Sequence, residues 1–334
     1  MNKKRIKRLM VLMFAAAFGL SMAGCTGEPA SSQSDPAASE VSVTDAADSE
    51  APDEKSEQES TVSETVVTKQ SQQLSTTGII NARELGGYPA ADGKKIKSGV
   101  LLRTAKLSTA TEEDISILKD NYHLGYIVDM RTISEIGEET DPEIEGAEYI
   151  STPIDITSFL NKLYAVTDQE ERTSLLTEAY NDGQLGEFMY VNALKQDTIC
   201  QEYKVFFDTL LKGKGEKAVL WHCSYGKDRT GLGAALLLSV LGVDEDTIMN
   251  DYLLTNEFYA GAEDAAREKM SSAFPDNPEL VDALAELSGG VKEKYLRNAL
   301  DYMKQESGSA QAFVKDKIGV TDEEIGLLRT YYLE

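Results

Sequence analysis

Apolar side chains follow three regimes along this chain. From Leu9 to Gly24 they run without a charge, just after Lys3, Lys4, Arg5, Lys7 and Arg8. The run is shorter than the about 20 residues a spanning helix needs and ends in small residues, so residues 1–24 read as a removable export signal. From 26 to 75 large apolar side chains almost vanish among Ser, Thr, Ala, Asp, Glu and Gln. Such a segment cannot bury enough surface to offset chain entropy, and residues 25–75 are expected to be a disordered acidic linker. From 76 to 334 the apolar positions are dense and periodic. Short runs at Val100–Arg103, Tyr126–Met130, Glu148–Thr152 and Ala218–Trp221 predict strands, and helical stretches at Thr111–Asp120 and Gly186–Leu211 fall between them. This alternation predicts one α/β domain whose central, mostly parallel sheet is flanked by helices and binds its ligand at the strand C-termini. After Gly242 the pattern is helical almost to the end, with Asp244, Pro278, Ser288-Gly289-Gly290 and Thr321-Asp322 as caps or breaks.

The chemistry concentrates where the Ala218–Trp221 strand ends. His222-Cys223-Ser224-Tyr225-Gly226-Lys227-Asp228-Arg229-Thr230-Gly231 leads directly into an uncharged helical run, Leu232–Leu241. A loop opening onto a helix N-terminus offers unpaired backbone N–H groups and the positive end of the dipole, which together suit an oxyanion. The same field favours thiolate over thiol at Cys223. Arg229, six positions on, can grip two oxygens of a phosphate with its planar fork. Gly226-Lys227 does not make a nucleotide-binding loop: Asp228 stands where that motif has Ser or Thr, and Trp221 where it has its first glycine.

The pattern His-Cys-x5-Arg-Thr-Gly resembles the phosphate-binding loop of the cysteine-dependent protein tyrosine phosphatase superfamily. Asn81-Ala82-Arg83-Glu84-Leu85-Gly86-Gly87-Tyr88 is similar to the Asn-x-Arg-Asp-Leu-Gly-Gly-Tyr opening of a bacterial branch described as atypical or dual-specificity. Leu101–Thr104, Val128–Thr132 and Asp251–Asn256 fit further segments of that branch, so the likeness covers most of 76–334; Glu84 departs from its usual Asp. The resemblance implies a tyrosine-phosphatase-like fold and phosphomonoester hydrolysis through a cysteinyl-phosphate, with neither metal nor cofactor. It gives Cys223 as nucleophile and Arg229 as clamp, with Ser224, Tyr225, Gly226, Lys227 and Thr230 around the phosphate. Thr230 or Ser224 would donate a hydrogen bond to the sulfur, and Lys227 would add a second positive charge inside the cradle, as in loops that accept phosphoinositides. A leaving oxygen needs a proton donor. Asp228 is the acid by analogy with Gly-Lys-Asp-Arg loops, and Asp155 competes from a strand end, unless it caps a helix starting near Ser158. His222 would brace the cysteine's backbone. Arg103, Asp129 and Arg131 are supporting residues at strand ends, suited to ion pairing, to orienting Arg229 or, for Arg103, to touching substrate. A phosphorylated protein is the first substrate class and a phosphoinositide or inositol phosphate the alternative; an inactive phosphate-binding module is a rival from another class.

Charge and cysteines narrow the setting. The chain carries −24; with 11 acidic against 2 basic residues over 26–75 and +5 in the leader, −20 remains for 76–334. Such a body repels phosphate backbones, which excludes nucleic acid as a partner. Met22-Ala23-Gly24-Cys25 resembles a bacterial lipoprotein box, implying lipidation at Cys25 and an exported, membrane-anchored protein on the outer face of the cytoplasmic membrane. Cys200, beside Tyr203, Phe206 and Phe207, reads as a small buried hydrophobe, so no disulfide framework exists. A monomer is expected.

Overall fold

The computed structural model describes residues 68–156, 166, 168–182 and 187–334. The expected leader with Cys25, the linker up to residue 67 and the helix expected near Ser158 lie outside the described residues. Five strands form one sheet: β1 (Arg83–Glu84), β2 (Leu101–Thr104), β3 (Leu124–Asp129), β4 (Glu148–Ser151) and β5 (Ala218–His222). Their spatial order is β1-β2-β5-β3-β4, antiparallel between β1 and β2 and parallel elsewhere. The mostly parallel α/β sheet of the sequence reading is therefore observed. In register, His222 at the end of β5 lies beside both Thr104 of β2 and Asp129 of β3. Three parallel strands thus finish at one edge, and the chain after His222 emerges between two neighbours.

Every residue of β5 is buried: Val219 and Trp221 pack with the two long helices on one face, and Ala218 and Leu220 with Leu74, Ile79, Leu107 and Leu118 on the other. Helix Arg229–Leu241 is buried along its whole length except at Ser239, which explains a run of ten residues without charge. Helix Asp197–Gly213 buries one face, through Tyr203, Phe206, Phe207 and Leu210, and Phe206 stacks 5.3 Å from Trp221 of β5. Cys200 lies 3 % exposed in this core, as its surroundings in sequence predict.

Three boundaries differ from the sequence reading. The stretch expected as one helix from Gly186 divides into a wide turn at Glu187–Val191, a short turn at Asn192–Leu194 and the helix from Asp197, with Gln196 extended at the break. The helix expected over Thr111–Asp120 starts with a Thr111–Asp114 capping box, then widens into a π-type turn from Ile117. The folded body also begins before 76: Lys69–Gln72 is helical, and Leu74 is 1 % exposed with its N–H donating to Ala82 O at 3.0 Å. The last residues expected in the linker are held by that one buried leucine and its strand-like pairing. In the C-terminal half the expected breaks occur, with Asp244, Asn277 and Thr321 accepting N-cap bonds for the helices Glu245–Leu253, Pro278–Ser288 and Asp322–Tyr332.

Candidate active site

Between His222 and helix Arg229–Leu241 the chain turns tightly, and its carbonyls are pulled outward by a ring of donors. Tyr225 O accepts from Tyr259 Oη at 2.8 Å and Asn81 Nδ2 at 3.2 Å. Gly226 O accepts from Asn81 Nδ2 and from the Arg103 guanidinium, both at 2.9 Å. Ser224 O takes the Lys106 N–H, Arg229 O the Tyr203 hydroxyl, and Thr230 O the Trp221 indole. In a trans peptide the following N–H points opposite to the carbonyl. The N–H groups of Tyr225, Gly226 and Lys227 are therefore turned into the hollow that the outward carbonyls leave. Gly226 allows the closest part of the turn: its φ is +63°, and a Cβ there would fall within 2.5 Å of the Thr104 carbonyl carbon and closer still to its oxygen.

The donors are themselves fixed. Arg83 and Arg103, both fully buried, share Asp251: Arg83 Nε reaches Oδ1 at 3.0 Å and the Arg103 guanidinium reaches Oδ2 at 2.5 Å. Tyr88 donates to the same carboxylate at 3.1 Å. Burial disfavours charge on Asp251, but the two arginines outweigh it and hold the carboxyl below its usual range. Arg83 also grips Asn81 Oδ1, which turns the amide nitrogen towards the loop. The opening motif thus braces the loop from behind, and Arg103, fully buried with its two terminal nitrogens on Asp251 and Gly226 O, is placed behind the loop and not on its substrate side. Glu84, where the branch usually carries Asp, accepts from the Gly99 N–H at 2.5 Å.

Cys223, the first residue after β5, lies 2 % exposed. His222 is fully buried, with Nδ1 3.4 Å from Cys223 O and Nε2 3.1 Å from Asp141 Oδ2. Asp129 and Arg131 form a buried pair with each other. Arg131 continues to Asp141 at 2.6 Å and Tyr149 donates to Asp129 at 2.6 Å. Their reach towards the loop passes through His222; Arg229 is oriented by another residue.

That residue is Glu135, which sequence reasoning missed. Its carboxylate meets the two terminal nitrogens of Arg229 at 2.7 Å each and accepts from the Ser224 hydroxyl at 2.5 Å. Burial pushes the Glu135 carboxyl up, but Arg229, Ser224 and the Thr132 N–H overcome this and hold it far below the usual range. Burial likewise opposes charge on Arg229, and the Glu135 bonds and the Cys223 charge raise its pKa regardless. In the structure Thr132 and Glu135 form the capping box of helix Ile133–Glu138, a local role that does not by itself mark Glu135 for the site. The guanidinium keeps one buried donor without a partner, Nε.

Three expected placements change, those of Ser224, Thr230 and Lys227. Ser224 gives its hydroxyl to Glu135, not to the sulfur. Thr230 Oγ1 is buried in the first turn of helix Arg229–Leu241 without a hydrogen-bond partner. Lys227 leaves the cradle: 4 % exposed, its ammonium donates to Leu287 O, Gly289 O and Gly290 O at 3.0, 2.9 and 3.3 Å, at the C-terminal end of helix Pro278–Ser288. Four carbonyls at a helix end lack intrahelical partners, and a buried ammonium finds there the acceptors it needs. Asp228 starts helix Arg229–Leu241 without accepting an N-cap bond; its Oδ1 takes the Tyr190 hydroxyl at 2.8 Å. Asp155 is exposed on the segment after β4.

The loop therefore brings together the buried thiol-bearing Cys223, backbone amides turned inward, the fixed guanidinium of Arg229 and the half-buried Asp228. Comparison with known proteins agrees with this chemistry. The model of a family described as the tyrosine phosphatase family matches residues 74–334. The chain is 28 % identical over 255 residues to an inferred tyrosine-protein phosphatase of Cupriavidus necator, covering 76 % of this chain and 86 % of that protein. It is 26 % identical over 250 residues to a tyrosine-protein phosphatase of Nostoc commune, covering 72 % and 76 %. Over 119 residues, 34 % of this chain and 43 % of the relative, it is 33 % identical to the triple specificity protein phosphatase PtpB of Mycobacterium tuberculosis.

Proposed function

The chain belongs to the tyrosine phosphatase family, and from that premise we propose that Cys223, Arg229 and Asp228 hydrolyse phosphotyrosine and related phosphomonoesters on proteins in two steps. The thiolate of Cys223 attacks phosphorus, an S–P bond forms, and the ester P–O bond breaks as its oxygen takes the proton of the Asp228 carboxyl. Water then attacks the phosphocysteine and gives its proton to the Asp228 carboxylate. The S–P bond breaks, and inorganic phosphate and thiolate are released. The amides of Tyr225, Gly226 and Lys227, with Arg229 Nε–H, meet the equatorial oxygens, and Glu135 keeps the guanidinium aligned from its other edge.

The observation that carries this reading is the outward pull on the Ser224, Tyr225 and Gly226 carbonyls, which leaves a cluster of donors over one cysteine. The relative called a triple specificity phosphatase supports a substrate range beyond phosphotyrosine. The position of Lys227 withdraws the feature that favoured phosphoinositides over phosphoproteins. The test is phosphate release from phosphotyrosine peptide and p-nitrophenyl phosphate in EDTA: turnover persists in the wild type and disappears in Cys223→Ser. Turnover by Cys223→Ser would end the proposal.

Beyond the fold, the reading includes a leader over 1–24, an acidic linker after it and lipidation at Cys25, giving a monomeric phosphatase tethered to the outer face of a bacterial membrane. The charge-free run ending in Met22-Ala23-Gly24-Cys25 supports it. Expression of Cys25→Ser with membrane fractionation decides: the variant moves to the soluble exported fraction, and an unchanged membrane pool would refute the lipid anchor.

A further inference from the structure

Asp228 is the proposed acid, yet nothing in its own loop holds its side chain. The partner comes from 38 positions away: Tyr190 donates its hydroxyl to Asp228 Oδ1 at 2.8 Å. Tyr190 is fully buried on the turn Glu187–Val191, and its oxygen lies 2.7 Å from the hydroxyl of Tyr252, equally buried. Burial first, then the charge of Asp228, push both phenols well above their ordinary pKa, so both stay protonated. The order of protons follows. Tyr190 has one hydroxyl proton and donates it in the bond to Asp228, so Tyr252 must donate to Tyr190, and the three groups form a one-directional chain of hydrogen bonds from Tyr252 to the carboxyl. The rings are held as well. Tyr252 meets Tyr190 edge-on at 6.1 Å, and Tyr295 of helix Glu293–Ser307 lies at 6.1 Å on another side.

We propose that Tyr190, backed by Tyr252 and packed by Tyr295, is a positioning residue that fixes Asp228 Oδ1 so that Oδ2 carries the proton towards the leaving oxygen. The proposal rests on the phosphatase reading with Asp228 as acid. A carboxyl bonded at one oxygen loses rotation about its terminal bond and delivers its proton from the other, and general acid catalysis requires that delivery within about 3 Å of the ester oxygen. It also gives the C-terminal helical elaboration a part in the chemistry, since Tyr252 and Tyr295 both come from helices beyond the signature loop.

The test measures kcat/KM across aryl phosphates whose leaving phenols range from strongly acidic to tyrosine-like, with pKa about 10. For Tyr190→Phe, which keeps the ring, the loss is expected to grow with leaving-group pKa and reach about tenfold at the tyrosine-like end, a fraction of what a general acid contributes in full. The inhibition constant of inorganic phosphate should stay within about twofold, a change near 0.4 kcal/mol. Tyr252→Phe, which leaves the Tyr190–Asp228 bond in place, should show a shallower slope in the same direction. Asp228→Asn, run beside them, separates the failures. A steep slope in Asp228→Asn with none in Tyr190→Phe overturns this role alone. A flat Asp228→Asn removes the acid assignment, and the role of Tyr190 falls with it. A loss in Tyr190→Phe equal for every leaving group, with weakened phosphate inhibition, means that the tyrosine only supports the fold.

Discussion

Replacing Lys227 with methionine distinguishes an anchoring lysine from one that binds substrate. The side chain keeps its length and apolar stem but loses the ammonium that Leu287 O, Gly289 O and Gly290 O share at 3.0, 2.9 and 3.3 Å. At 4 % exposure, water does not readily take its place. A hydrogen bond to a charged donor contributes about 1.5–3 kcal/mol, and a buried acceptor left unpaired costs about 1–3 kcal/mol. Because one ammonium serves all three carbonyls and the third bond is long, the combined loss should be about 3–4 kcal/mol, well short of three separate bonds. The missing cation at a helix C-terminus acts in the same direction. Urea unfolding reads the stability change as a lowered midpoint at unchanged slope. The inhibition constant of inorganic phosphate reads the cradle and should move by no more than about threefold, from the weaker field alone. A loss of tenfold or more in phosphate affinity with an unmoved midpoint would put the ammonium on the anion and refute the reasoning.

Two further changes bear on the loop. Gly226→Ala sets a Cβ against the Thr104 carbonyl at a φ of +63°, so the turn must shift; a loss of about 2–4 kcal/mol in thermal or urea unfolding should come with at least about a hundredfold loss of phosphate release. Glu135 has a folded-state pKa held below its unfolded value of about 4.3. Its pairing with Arg229 therefore stabilises fully above that pH and is lost as pH falls towards the folded value. The stability difference between wild type and Glu135→Gln, measured by unfolding at several pH values, should be constant near neutrality and shrink below about pH 4; a difference that widened on acidification would reverse the assignment.

The sequence carried the parts of this site that are local, and missed those that depend on which strands become neighbours. Cys223, Arg229 and the turn glycine lie in one continuous stretch whose strand-loop-helix pattern is visible in apolar spacing, and β5 and helix Arg229–Leu241 were legible because complete burial excludes charge. Glu135 was illegible because its distance from Arg229 is set by β3 pairing with β5, while its local role, in a helix capping box with Thr132, is one that many glutamates fill. Tyr190 was hidden in a stretch whose helical periodicity concealed a break at Gln196. Lys227 misled for a related reason: a lysine in an anion loop suggests the anion, and only the approach of Leu287–Gly290 reveals carbonyls as its partners. Arg83, Arg103 and Asp251 were each recognisable within motifs, yet their sharing of one carboxylate is a property of the assembled fold.

That shared carboxylate also shapes the field in the hollow. Two guanidinium groups surround one aspartate, all fully buried, and burial together with Arg83 lowers the Arg103 pKa only to about 10. Arg103 therefore remains charged at neutral pH, and since a guanidinium is not deprotonated in proteins under ordinary conditions, two cations beside one carboxylate leave one positive charge beyond what Asp251 cancels. Arg103 directs that excess at the Gly226 carbonyl, 2.9 Å away, on the outer side of the peptide whose N–H faces inward. A cation bonded to the oxygen of a peptide polarises it and strengthens the donor at its other end. In a body as acidic as this one, general attraction for a phosphate dianion is absent. The hollow must draw its anion by a local field, which the amides, Arg229 and this excess charge behind the loop supply while Glu135 offsets part of it. The lysine expected to supply that charge from within is thus replaced by an arginine acting from behind, where it adds positive potential without narrowing the space the phosphate needs.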